Sequence, residues 1–168
     1  MIVADATVNR FFAGCMTRLN LLRFTPFRLN RLAAEVSREL ATVYAERFGI
    51  GIAEWRVLAT LGMGEPRSAG FITRCTRTHK SKISRAVTRL ALAGLVEGVP
   101  SEQDRRETKL RMTERGRALY TELVPLVLEH ERRLTSCLSE RELAAFTHAL
   151  DRLEESLGLI RDPDLIHE

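Results

Sequence analysis

From Lys80 to Ala91 the chain interleaves two kinds of side chain with a helical period. Ile83, Ala86, Val87, Leu90 and Ala91 are apolar and fall at i, i+3, i+4, i+7 and i+8, the spacing of one buried helix face. The other face carries Ser81, Lys82, Ser84, Arg85, Thr88 and Arg89. Small hydroxyls permit close approach to a polyanion, and long cations neutralise phosphate or reach base edges. A stretch of this kind must bury one side of a short helix and leave a cationic side free. That free side suits a DNA groove.

The residues after this helix narrow the choice. Gly94 is placed to end it in a left-handed cap. Leu95 to Pro100 reads as a strand, and Ser101-Glu102-Gln103-Asp104 as a turn, with Arg105 and Arg106 just past its tip. In Thr108-Lys109-Leu110-Arg111-Met112 the apolar residues alternate with cations, as in a half-buried strand. Ahead of the cationic helix, Ser68 is a candidate N-cap for a supporting helix that points Phe71 and Ile72 inward. Thr78 or His79 then begins the cationic helix, with His79 expected to cap it or touch phosphate. A helix-turn-helix followed by an arginine-tipped hairpin is the layout of a winged helix.

Charge is distributed accordingly. Between Arg67 and Arg111 there are eleven Lys or Arg against four Asp or Glu, whereas the remainder of the chain is acidic by three, within a net charge of +4. Positive charge concentrated on the segment with the free cationic helix is the footprint of a nucleic-acid binder.

Ser68 to Thr113 resembles the DNA-binding lobe of the multiple-antibiotic-resistance regulator (MarR) family of bacterial transcription factors. The resemblance is carried by Lys82-Ile83-Ser84-Arg85-Ala86-Val87, by Leu90 with Gly94-Leu95-Val96, by Asp104-Arg105-Arg106, and by Leu110-Arg111-Met112-Thr113-Glu114-Arg115-Gly116. With flanking helices it extends over about residues 26–157. Members commonly carry an arginine where Gly98 stands, so a missing wing contact or a more sharply bent strand is expected here. The resemblance implies a mainly α fold with a small β-hairpin wing, in which a winged helix-turn-helix lobe joins a helical dimerisation lobe. It implies a homodimer on double-stranded DNA that acts as a repressor and is released by a small-molecule effector such as a phenolic or other aromatic acid. The DNA contacts expected are Thr78, Lys80, Ser81, Lys82, Ser84, Arg85, Thr88 and Arg89 on and before the reading helix, and Arg105, Arg106 and Lys109 on the wing. Arg85 is the candidate for a guanine edge and Arg106 for the minor groove. Asp104 is expected to hold a wing arginine in place. Phe24, Phe27, Arg28, Trp55 and Arg56 are the expected effector-lining residues, offering apolar walls and a guanidinium for an anion.

The flanking segments fit this organisation. Leu29, Leu32, Ala33, Val36, Leu40, Val43, Tyr44 and Phe48 form an apolar stripe on a helix from Phe27 to Phe48, and a second helix covers about Ala53 to Leu61. Thr113 opens a long helix to about Leu138, with Pro125 expected to kink it. Ser139-Glu140-Arg141-Glu142 is a capping box that starts the last helix. There Leu143, Phe146, Leu150, Leu153 and Leu157 recur at steps of three and four, a seam suited to a second protomer. The expected organisation is an extension over residues 1–25 (with Met16 a second candidate start) and a single domain over 26–157. Within that domain, 26–50 and 113–157 are dimerisation helices and 53–112 is the DNA lobe. A tail covers 158–168.

Other classes of protein fit less well. No apolar run approaches the length of a membrane span, and the residues before Cys15 lack the apolar core of a signal peptide, so a cytoplasmic protein without membrane partners is expected. Cys15, Cys75 and Cys137 are widely spaced and form neither a disulfide framework nor a metal-binding pattern, so no metal or cofactor is expected. Buried, inert thiols are the expectation for Cys75 and Cys137; the alternative is a redox-sensing repressor on the same scaffold, acting through Cys15 or Cys75. The four histidines are scattered, and no nucleophile motif or phosphate loop argues for an enzyme.

Overall fold

The computed structural model describes residues 18–64, 66–100 and 108–159. A 3-10 turn at Leu21–Arg23 precedes helices α1 (Thr25–Phe48) and α2 (Ile52–Gly62), a two-residue strand β1 (Arg67–Ser68), and helices α3 (Ala69–Thr76) and α4 (Lys80–Leu92). Strands β2 (Val96–Pro100) and β3 (Thr108–Met112) follow, then α5 (Glu114–Thr135) and α6 (Glu140–Ser156). The chain divides into two units, one ending at Val36 and the other beginning at Ser37, so the boundary falls inside α1. The fold is mainly helical with one small antiparallel sheet.

In the second unit the core gathers Tyr44, Val57, Leu58, Leu61, Ile72, Ile83, Ala86, Leu90, Leu95, Val96, Leu110, Met112 and Leu123, all buried. Each large side chain among them contributes about 1.5–3 kcal/mol through its burial. The apolar face of α4 thus seats on α2, α3 and the sheet. Three expected inward positions differ, Val87 being only half-buried. Ala91 is exposed, because the buried line passes from Leu90 to Leu95, whose N–H bonds the Leu90 carbonyl at 2.9 Å. Phe71 is half-buried, with the Arg67 guanidinium 4.6 Å above its ring.

The exit from α4 explains two glycines. Gly94 has φ 68, and its N–H bonds the Ala91 carbonyl at 2.9 Å while Leu95 reaches back to Leu90. This paired closure needs a left-handed residue at position 94. Leu95 then turns its carbonyl toward the start of α5, where it accepts the Thr113 N–H at 3.0 Å. The Thr113 hydroxyl caps α5 by accepting the Gly116 N–H at 3.0 Å and donates to the Gly94 carbonyl at 2.7 Å. A Cβ at Gly116 would overlap the Leu95 carbonyl. The motif Leu110-x-x-Thr113-x-x-Gly116 therefore ties the second wing strand, the exit of the reading helix and the start of α5 into one knot.

The sheet has the order β1-β3-β2, with Arg67 opposite Leu110, Ser68 opposite Lys109, and Val96 through Pro100 opposite Met112 back to Thr108. Strand β1 is an addition to the hairpin expected from the sequence. Residues 101–107 at its tip, with the expected turn, lie outside the described residues. Pro125 sits within α5 without ending it.

Helix α6 begins as its sequence predicts. The Ser139 N–H donates to Glu142 Oε2 at 2.9 Å, the Ser139 hydroxyl donates to the same oxygen at 2.7 Å, and the Glu142 N–H donates back to the hydroxyl at 3.4 Å. The backbone bond from Ser139, followed by its hydroxyl bond, holds the Glu142 carboxyl below the ordinary value of 4.5. A carboxyl depressed in the folded state stabilises above the unfolded value and loses that contribution as pH falls through the folded value. In an NMR titration Glu142 should protonate at lower pH than an exposed glutamate, and Ser139→Ala should move it back toward 4.5. An unaltered midpoint in that variant would contradict the capping geometry.

Candidate nucleic-acid interface

The reading helix α4 is built from both ends. Helix α3 is capped by Ser68, whose hydroxyl accepts the Phe71 N–H at 3.2 Å, and it closes on Arg77 in the left-handed conformation (φ 50, ψ 30). Asparagine or glycine usually fills such a position. The turn so formed swings the chain into α4, where His79 is the N-cap. Its Nδ1 accepts the Ser81 N–H at 3.3 Å and lies 2.9 Å from the Ser81 hydroxyl. Capping is therefore the role the geometry gives His79.

Burial of Ile83, Ala86 and Leu90 leaves Lys80, Ser81, Lys82, Ser84, Arg85, Thr88 and Arg89 exposed on the rest of α4. Several are partly ordered by their own helix. Arg85 Nε donates to the Ser81 carbonyl at 3.2 Å, and the Thr88 hydroxyl donates to the Ser84 carbonyl at 3.1 Å. Lys82 and Arg85 share a cleft of about 300 Å³ with Arg89 and the first residues of α2. This face offers three hydroxyls and several cations on a rigid rod, the chemistry needed to reach into a major groove and hold its phosphates.

Two of the residues expected on this face are engaged elsewhere. Thr78 is only 7% exposed; its hydroxyl accepts a hydrogen bond from Arg56 Nη1 at 2.8 Å and donates to the Thr76 carbonyl at 3.3 Å. An inward hydroxyl cannot face a groove. Arg89 places Nη2 2.7 Å from Glu54 Oε1 on α2. Neither link shows in the sequence, because the partners are far apart along the chain and share no motif.

On the wing, Lys109 is half-buried in β3, between Ser68 and Val99 in register. Arg111 Nε donates to Glu97 Oε1 at 2.7 Å across the β2–β3 pair. Asp104, Arg105 and Arg106 lie outside the described residues. A Cβ at Gly98 would stand 2.9 Å from the Thr108 methyl, a side-chain contact that a rotation of Thr108 relieves.

Of the residues expected to meet an effector, Phe24, Phe27 and Arg28 belong to the first unit, and Trp55 and Arg56 to the second. Trp55 is stacked between Tyr44 and Tyr120, with ring centroids 6.1 and 6.2 Å away. Arg56 is the partner of Thr78. Burial, partly offset by the Arg56 charge, raises the Tyr44 phenol above its ordinary value of 10.0. The thiols differ from expectation. Cys75 is half-buried, Cys137 is exposed in the turn between α5 and α6, and Cys15 lies outside the described residues. Among the described residues no cluster of His, Cys, Asp and Glu could hold a metal ion, and no described helix is long and apolar enough to cross a membrane.

A supporting helix, a turn, an exposed cationic helix and an antiparallel hairpin, in that order, define a winged helix-turn-helix protein. The sequence pattern of the MarR family matches residues 48–107. The chain is 30% identical to the HTH-type transcriptional regulator PecS of Dickeya dadantii (strain 3937) over 132 residues, 77% of this chain and 79% of that protein. Among solved structures, a MarR/EmrR family transcriptional regulator from Acinetobacter sp. ADP1 superposes with a TM-score of 0.77 at 26% identity, covering 84% of this chain and 100% of the other. A MarR family regulator from Silicibacter pomeroyi gives 0.71 at 25%, covering 84% and 93%. The chain belongs to the MarR family of transcription regulators.

Proposed function

We propose that the protein is a homodimeric, cytoplasmic repressor that binds a pseudo-palindromic operator and is released by a small-molecule effector, an aromatic acid in this reading. The observation that carries the DNA-binding half is the face of α4. Ile83, Ala86 and Leu90 are buried on one side, while Lys80, Ser81, Lys82, Ser84, Arg85 and Thr88 stand exposed together. Each protomer would lay α4 in a major groove, with half-sites roughly ten base pairs apart. Lys82 and Arg85 reach bases or phosphates; Arg105, Arg106 and Lys109 on the wing would add backbone or minor-groove contacts, with Asp104 orienting an arginine. An effector would act only through different affinity for the DNA-bound and released spacings of the two reading helices.

Fluorescence anisotropy with the DNA upstream of the protein's own gene tests this reading. Arg85→Ala should weaken specific binding by about 1–3 kcal/mol, and a phosphate-contacting cation removed in the same way should reduce the salt slope by about one. Equal affinity of Arg85→Ala and the unaltered protein for that DNA would contradict the assignment of α4.

A further inference from the structure

Helix α2 grips the reading helix at both ends. Before α4 begins, Arg56 reaches the buried hydroxyl of Thr78 in the turn. At the other end, Glu54 faces Arg89 in the third turn of α4. Glu54 and Arg56 are two residues apart on α2, which packs against α4. Glu54 is only 4% exposed. Its Oε2 accepts the Gly51 N–H at 3.2 Å, which caps α2. Its Oε1 has no aligned hydrogen-bond donor among the described residues, so the Arg89 cation 2.7 Å away balances it as a charge contact rather than a directed hydrogen bond. Arg89 is itself largely exposed, lining the same cleft as Lys82 and Arg85.

We propose that Glu54 is a positioning residue for DNA recognition: by holding Arg89, with Arg56 on Thr78 as the second grip, it sets the pose in which α4 offers Lys82 and Arg85 to DNA. Arg89 is then an internal tether rather than a phosphate contact. A buried carboxylate is costly without its partner, so removing either charge disturbs the seat of the helix rather than merely deleting a surface cation. Sequence-specific binding needs that seat; non-specific binding depends on the count of cations. The inference rests on the proposed DNA-binding role of α4.

The test measures affinity for operator and for random DNA across a salt series, in the unaltered protein and in Glu54→Gln, Arg89→Lys, Arg89→Gln and Thr78→Val. Glu54→Gln keeps an acceptor for the Gly51 N–H and removes the charge. It should weaken operator binding on the order of tenfold while random-DNA binding holds or rises, since a cation is freed. Arg89→Gln should do the same to the operator without lowering the salt slope, and a protein carrying both Glu54→Gln and Arg89→Gln should be no worse than either single variant. Arg89→Lys, which keeps the pair, should restore specificity, and Thr78→Val should reduce it at the other grip.

Three outcomes overturn the inference. If Glu54→Gln strengthens both DNAs and steepens the slope by about one, Glu54 was masking a DNA-contacting arginine. If Arg89→Gln lowers the slope by about one, Arg89 touches phosphate. If the variants lose operator and random binding in proportion to a lowered folded fraction, the pair serves stability alone. Failure of the unaltered protein to bind either DNA would instead remove the DNA-binding reading itself, and the tether's role with it.

Discussion

Replacing Gly116 with alanine is expected to destabilise the protein by about 3 kcal/mol, the upper part of the range for overpacking a filled site. Most overpacked side chains can rotate away, but here the obstacle is main chain. The added methyl would meet the Leu95 carbonyl oxygen, and the carbonyl carbon would lie 2.9 Å from it. That carbonyl cannot retreat without breaking its bond from the Thr113 N–H, and Thr113 also caps α5 and bonds Gly94. One methyl therefore loosens the end of α4, the start of α5 and the end of β3 together. For a chain of this length the loss corresponds to a fall in Tm of roughly 6–12 °C. Thermal melting followed by circular dichroism checks it; a Tm within about one degree of the unaltered protein would mean that the contact yields freely.

Phe146→Asp combined with Leu153→Asp should leave the protein monomeric. Within the single chain both side chains are 45% exposed and Leu157 is 69% exposed, and no residue of α6 is fully buried. The apolar seam read from the sequence is thus not spent on the chain's own core. The stripe on the first helix is also open at its start, where Leu29 and Leu32 are exposed. Covering a large apolar side chain contributes about 1.5–3 kcal/mol, and a two-fold interface counts each of them twice. Carboxylates at both positions reverse that contribution. Loss of the second half-site should then weaken operator binding by about 10²–10⁴-fold, the usual gain from linking two binding modules. Sedimentation velocity reports the assembly state directly. A double variant that stays dimeric would place the interface elsewhere.

Much of this fold was legible because its key elements are long enough to show a period. The α4 face follows from its spacing alone, and the capping box at Ser139 joins groups only three residues apart. Strand β1 was not legible. Two residues cannot display alternation, and Arg67 and Ser68 are extended because β3 is there to pair with them. The cations of α4 were legible as a group, but their division was not. Arg89 has the spacing of a groove residue, and only the fold brings Glu54 beneath it. Thr78 precedes the helix as a surface residue would, yet Arg56 from another helix encloses its hydroxyl. The glycine of the Thr113-x-x-Gly116 motif was visible as a pattern; its reason, a carbonyl from twenty-one residues earlier, required the structure.

The most direct measurement of the central claim is a selection from a pool of random duplex DNA, with enriched sequences read after several rounds at about 0.15 M salt, where non-specific phosphate binding is suppressed. A dimer reading successive major grooves through α4 should enrich an inverted repeat with half-site centres roughly ten base pairs apart. An Arg85→Ala protein should lose preference at one symmetric pair of positions. Enrichment of a single unrepeated half-site would contradict the dimeric reading, and a pool that stays random while the protein is folded would contradict sequence-specific recognition altogether.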